Sequence, residues 1–304
     1  MTATSTTVGP APEIEREPVP SGRLTGIIAM LTGATSNQTG AAVGAHAFTA
    51  IGPVGVVAVR QVVAAAILLP VARPPLRRLS WAQWWPCLLL GVVFVLMNLG
   101  LYTAIDRIGL GLAVTLEFLG PLTVALIGSR GVRELGLALL AGIGVYVLIL
   151  PGPASDLYGI GAGLLAASMW AAYIVVNKVA GRRLPGLQAP AVGSLLSATL
   201  SLPVLIWLAA DGRLWGAPLL LAVVAGVLSS AVPYAADLTA LRHVPTRFFG
   251  VFMSVHPVLA AFAGLLLLGQ LLDLHEWAGI AIIVGANVLV TLAGGAAGTA
   301  PSKR

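Results

Sequence analysis

Charged side chains are what this 304-residue chain has least of. Asp, Glu, Lys and Arg make up 9% of it, against 58% hydrophobic residues. A soluble fold of this length needs far more polar surface, so the long apolar stretches are read as membrane spans and the lipid bilayer as a partner. The mean hydropathy of +0.96 agrees. The single cysteine, Cys87, excludes an intramolecular disulfide framework and any multi-cysteine metal site. Four histidines without i, i+4 pairing give no metal centre, and no cofactor is expected. Also missing are Gly-x-Ser-x-Gly, His-Glu-x-x-His and any phosphate loop, and carboxylates within the spans are too few for an aspartyl pair. These absences speak against an intramembrane enzyme. There is no nucleotide-binding domain, which argues against an ATP-driven pump within this chain. The extreme N-terminus lacks a basic region followed by an apolar run and cleavage site, so no cleaved signal peptide is expected.

What is there is a series of apolar runs. Residues 1–22, rich in Pro, Thr, Glu and Ala, read as a disordered tail. From Leu24 onward ten candidate spans follow, at 24–45, 53–72, 84–104, 109–128, 133–150, 159–179, 189–209, 217–240, 246–268 and 276–294. The net charge of +6 is no nucleic-acid footprint, because the basic residues lie in short loops between spans. With both termini in the cytoplasm, 14 of the 17 Lys and Arg fall on the inner side. Only Arg107 and Arg213 lie outside, and Arg60 lies within a span. That bias sets an N-in, C-in orientation at the cell membrane.

The chain also repeats itself. At an offset of 136, Thr103-Ala104-Ile105 falls on Thr239-Ala240-Leu241, Pro121-Leu122 on Pro257-Val258, Ala125 on Ala261 and Gly128 on Gly264. Five spans per half is an odd number, so the second half enters upside down. The expected fold is all-α and integral to the membrane, ten transmembrane helices forming two inverted five-helix repeats over 23–152 and 153–294. A C-terminal tail at 295–304 follows. Matched, proline-interrupted helices in the two halves point to a transporter's binding site.

The candidate site residues follow from what a bilayer tolerates. Glu117 sits mid-span, one turn before Gly120-Pro121, where an ionisable group faces a cavity or a partner. It binds a substrate ammonium or carries a proton; the alternative is a structural carboxylate paired with Arg60 or capped by hydroxyls. Arg60 is too deep for easy snorkelling and either holds a substrate carboxylate or pairs with Glu117. Trp170, Tyr173 and Asn177 share one helix face, as a cavity wall or as ordinary packing. The run Thr35-Ser36-Asn37-Gln38-Thr39 is polar inside an apolar span, lining a cavity or gluing helices. Asn98 and Tyr102, at i and i+4, add hydrogen-bonding groups. Pro233, Tyr234 and Asp237 place a break, a phenol and a carboxylate in the eighth span, with Asp237 near enough to the cytoplasmic end to be merely solvated. His256 precedes the second break, Pro257, and is either a titrating group or a neutral buried histidine with one partner. The bends at Pro121 and Pro257 are expected to meet near the midplane, with Glu117 on one wall and Met253 on the other. No metal ligands are expected.

Several stretches carry a family resemblance. They are Met97-Asn98, Gly111-Leu-Ala-Val-Thr-Leu-Glu117-Phe-Leu-Gly-Pro121, Trp170-Ala-Ala-Tyr173, Val192-Gly-Ser194, Val232-Pro-Tyr234 and Leu241-Arg-His-Val-Pro-Thr-Arg-Phe-Phe-Gly250. In order and spacing the chain, over about residues 25–292, resembles the EamA branch of the drug/metabolite transporter superfamily. Within that branch it is most similar to bacterial threonine/homoserine exporters. The resemblance implies a secondary transporter exporting small metabolites, above all amino acids such as threonine or homoserine, by alternating access; without a nucleotide-binding domain, the expected coupling is to an ion gradient, that of protons first. It also favours Gln38, since such exporters tend to carry a glutamine there. Where they read Glu-Pro this chain has His256-Pro257, and where they read Leu-Gly-Glu it has Leu268-Gly269-Gln270. Alternatives are a broad-specificity exporter or facilitator, a passive channel or assembly partner, and an intramembrane enzyme. The expected partner is a small-molecule substrate, with the chain a monomer or homodimer and no nucleic acid bound.

Reporter fusions at both termini should report the cytoplasm, and a fusion after Ser155 should report the exterior. A cytoplasmic signal at Ser155 would break the five-plus-five plan.

Overall fold

The structure, a computed structural model, describes residues 20–127, 132–150, 156–240, 243–244 and 246–297. Among these residues there are helices and no strands. In chain order the helices are α1 (Pro20–Ala45), α2 (Phe48–Ala72), α3 (Trp81–Ile108), α4 (Leu110–Glu117), α5 (Leu119–Ile127), α6 (Val132–Ile149) and α7 (Leu157–Gly181). There follow α8 (Gln188–Ala210), α9 (Gly216–Leu228), α10 (Ala231–Ala240), α11 (Thr246–Met253), α12 (His256–Leu268) and α13 (Leu274–Ala297). By length and composition, seven described helical stretches can cross a membrane, and two shorter apolar ones run over Leu110–Val124 and Leu135–Ile149. Large apolar side chains such as Ile206, Leu266 and Leu271 point outward. The buried contacts are rich in alanine, as close helix packing in lipid requires.

Proline explains where the spans break. It withholds its own N–H, so the carbonyl four residues earlier loses its helical partner and the ring crowds that turn. Four residues before Pro121 is Glu117, the last residue of α4. Four before Pro257 is Met253, the last of α11. Four before Pro233 is Ser229, which follows the end of α9. Inside a bilayer, backbone groups at such breaks need partners. The Ser36 hydroxyl on α1 donates to the carbonyl of Leu228 at 2.8 Å, at the α9–α10 break. At the start of α4, the N–H of Leu110 donates to Oε1 of Gln270 at 2.9 Å.

The sequence-based boundaries shift in places. Residues 20–22, expected in the disordered tail, begin α1, and 295–297, expected in the C-terminal tail, extend α13. The second span starts at Phe48 rather than 53, because Gly52 (φ 70°) interrupts the helix without ending it.

The helices pack in matched pairs: α3 on α7 and α1 on α9 and α10, with α2 on α8, α4 on α12 and α6 on α13. Two glycines permit the closest approaches. A Cβ on Gly120 would stand 2.3 Å from the carbonyl oxygen of Ala167, and one on Gly40 would stand 2.4 Å from Oγ of Ser229. One end of the bundle is shut by a large buried cluster. Its members include Ala42, Ile51, Ile105, Leu110, Leu208 and Ala222, from the ends of α1, α3 and α8 and the beginnings of α2, α4 and α9. At that same end Arg107 Nε pairs with Asp156 at 2.8 Å, tying α3 to α7. The N–H of Gly159, donated to Asp156, and then Arg107 hold this half-buried carboxyl below its usual range.

Candidate functional site

Behind the sealed end lies a central cavity with two lobes of about 250 Å³ each. Both lobes are lined by Arg60, Glu117, Trp170, Tyr173, Asn37 and Ser229, which therefore form a waist between them. The first lobe continues to Gln38, Tyr102, Phe118, Met253 and His256. The second continues to Gln61, Phe94, Asn98 and Ser194. Each of the three proline breaks contributes its i−4 residue to the wall: Glu117, Ser229 and Met253.

Glu117 is 8% exposed, and its carboxylate has no hydrogen-bond or ion-pair partner among the described residues. The reading of Glu117 as a structural carboxylate fixed by Arg60 does not hold, because the two groups are not within ion-pairing distance. Arg60 is instead held from behind. Its Nη1 donates to Oδ1 of Asn98 at 2.9 Å, and Asn98 is itself fixed by donating to the carbonyl of Phe94 at 2.8 Å. The guanidinium carbon lies 4.5 Å from the centroid of the Tyr102 ring, in cation–π range. One arm of the guanidinium fork is therefore engaged, and Nη2 meets the cavity without a protein partner among the described residues.

Tyr102 is fully buried and its ring packs edge-on to Phe48, with centroids 5.8 Å apart. Its hydroxyl has no hydrogen-bond partner among the described residues; Ser229 stands beside it without reaching hydrogen-bonding geometry. His256, the first residue of α12, lies 3.2 Å from Gln38 through Nδ1. Its ring is set against Phe118 at 5.7 Å, and Phe118 meets Trp170 edge-on at 4.7 Å. Tyr173 packs against Phe94 at 5.6 Å.

The structure thus gathers Gln38, Arg60, Asn98, Tyr102, Glu117, Trp170, Tyr173 and His256 around one cavity. The Tyr234 side chain lies outside the described residues. Pro121 and Pro257 are not in the cavity wall; they stand behind it and act through the residues four positions earlier. Asn177, a turn beyond Tyr173, is also absent from the wall. Sequence reasoning missed Phe118, Gln61 and Ser229. Only Ser229 carried a signal, its place four residues before Pro233. Gln61 accepts from Ser197 at 2.9 Å and donates to the carbonyl of Phe94 at 3.1 Å, bonding α2 to α8 and α3.

Comparison with known proteins gives a family match, two similar relatives and one solved structure of like fold. The model of the EamA-like transporter family matches residues 157–292. The chain is 36% identical over 269 residues to the threonine/homoserine exporter RhtA of Salmonella typhimurium strain LT2, covering 88% of this chain and 91% of that one. It is 36% identical over 272 residues to RhtA of Escherichia coli strain K12, with the same coverage. One solved crystal structure aligns over 90% of this chain and 98% of its own, with a TM-score of 0.59 at 21% identity, a likeness in fold alone.

Because Glu117 is not the counter-ion that holds Arg60, Glu117→Gln should fold normally, its thermal stability within about 1 kcal/mol of the parent. Breaking a buried ion pair would cost about 3–5 kcal/mol. Asn98→Leu, which removes the acceptor from a charged donor, should be the more damaging change, by about 1.5–3 kcal/mol. Thermal unfolding of the purified variants measures the difference.

Proposed function

The chain belongs to the EamA-like transporter family, and from that premise we propose that it exports small amino acids across the cell membrane by alternating access. The observation that carries the reading is the separation of Arg60 and Glu117. A cation and a carboxylate line one cavity, are not paired with each other, and each keeps a ligand-facing atom. Opposite charges left unpaired at membrane depth are costly, and a zwitterion that carries both complementary charges relieves both. Its carboxylate goes to Arg60 and its ammonium to Glu117, with Trp170 and Tyr173 closing over it. The names of the RhtA relatives make threonine and homoserine the first solutes to test.

The transport cycle in this proposal uses ten spans in two inverted repeats, 23–152 and 153–294. α4 with α5, α9 with α10 and α11 with α12 each count as one broken span. The packing supports it: exchanging the halves turns the α3–α7 contact into that of α9 and α10 with α1, while α2–α8, α4–α12 and α6–α13 map onto themselves. With both termini in the cytoplasm, the sealed end faces outward and the cavity takes its load from inside. In this mechanism Glu117 carries a proton one way and releases it as the ammonium enters, which couples export to the proton gradient.

The test is uptake of labelled threonine and homoserine into inverted membrane vesicles, with and without an imposed proton gradient. Uptake that rises with the gradient and disappears in Glu117→Gln, at unchanged protein level, is the expected result. Full gradient-driven uptake by Glu117→Gln would remove Glu117 from both roles.

A further inference from the structure

One polar pair in the cavity has no part in holding the two charges of a zwitterion. Gln38 on α1 and His256 at the start of α12 meet at 3.2 Å in the first lobe, both at least nine-tenths buried. The contact runs from the Gln38 amide nitrogen to Nδ1. An amide nitrogen only donates, so Nδ1 accepts and the ring proton sits on Nε2. Nε2 has no partner among the described residues, yet it is not shut inside the protein: His256 lines the lobe, and Nε2 is not among its enclosed atoms. The ring cannot easily turn away, because it lies against Phe118, which is itself held edge-on by Trp170. The same lobe offers apolar wall at Ala34, Ala41, Val114, Phe118 and Met253, beside the polar Asn37, Tyr102 and Ser229.

We propose that His256, oriented by Gln38, reads the side chain of the transported amino acid and selects one bearing a hydroxyl over one with a methyl in its place. The inference rests on the amino-acid reading of the cavity, which assigns the substrate's charged groups to Arg60 and Glu117 and leaves its side chain for this lobe. A hydroxyl oxygen accepts from Nε2, while the carbon beside it packs on the apolar wall. A methyl at the same place strips water from the Nε2–H and returns nothing. Leaving a buried donor unpaired in this way weakens binding roughly 10- to 100-fold. Size alone cannot make the distinction, because the two side chains have nearly the same shape.

Binding isotherms of the purified full chain decide it, with two shape-matched pairs as probes: L-threonine against L-valine, and L-homoserine against L-norvaline. The parent protein should bind the hydroxyl member of each pair roughly 10- to 100-fold more tightly. In His256→Phe that ratio should fall to about one. Gln38→Met, which frees the ring to carry its proton on either nitrogen, should narrow it, and it serves as the second variant if His256→Phe does not fold. A ratio near one in the parent, or an undiminished ratio in both variants, overturns the assignment while leaving the amino-acid reading intact. Binding of none of the four probes overturns the amino-acid reading, and this assignment with it.

Discussion

A missing N–H organises this molecule. In hydrocarbon a backbone carbonyl without a partner is expensive, so a helix that crosses a bilayer ordinarily keeps its hydrogen-bond ladder complete. Pro121, Pro233 and Pro257 each interrupt that ladder, and the interruption falls four residues upstream in every case. The three upstream residues, Glu117, Ser229 and Met253, come from three different spans and line one cavity. Pro121 and Pro257 themselves stay out of it, while Pro233 lines its first lobe. Function is thereby offset from the residue that causes it by one helical turn.

The second constraint is electrostatic. A lone charge at membrane depth is tolerated when it is paired, hydrogen-bonded or facing a polar space. Arg60 is hydrogen-bonded to Asn98 and stacked on the Tyr102 ring, while Glu117 faces the cavity with the Arg60 charge acting on it from beyond ion-pairing distance. Had the two been placed in contact, each would satisfy the other and the cavity would have no electrostatic preference. Holding the α2 arginine back against Asn98 of α3 keeps both charges available. Met253, at the break between α11 and α12, leaves that part of the wall apolar, so the site has a polarity that a zwitterion with a small side chain can match.

Local physics made part of this legible in the sequence. Apolar runs marked the spans, the proline breaks could be counted, and a carboxylate within a span drew attention to Glu117. Arg60 was found on the same ground. The partners of these residues were not legible, because they are set by packing between distant segments. Asn98 looked like one more cavity donor, but it is the clamp on Arg60. The Gln38–His256 contact joins residues 218 positions apart, and no spacing rule links them. Phe118 passed as an ordinary apolar residue, although its ring braces both His256 and Trp170. Ser229 was within reach, had the i−4 consequence of Pro233 been followed through.

The central claim is that Arg60 and Glu117, standing apart, take the two ends of a zwitterion. Calorimetric titration of the purified protein with L-threonine, its methyl ester and its N-acetyl derivative tests this most directly, since each derivative masks one charge and spares the side chain. The parent amino acid should bind, and each masked form should bind at least about tenfold more weakly, as loss of a hydrogen bond to a charged group requires. Equal binding of the amino acid and either masked form would contradict it.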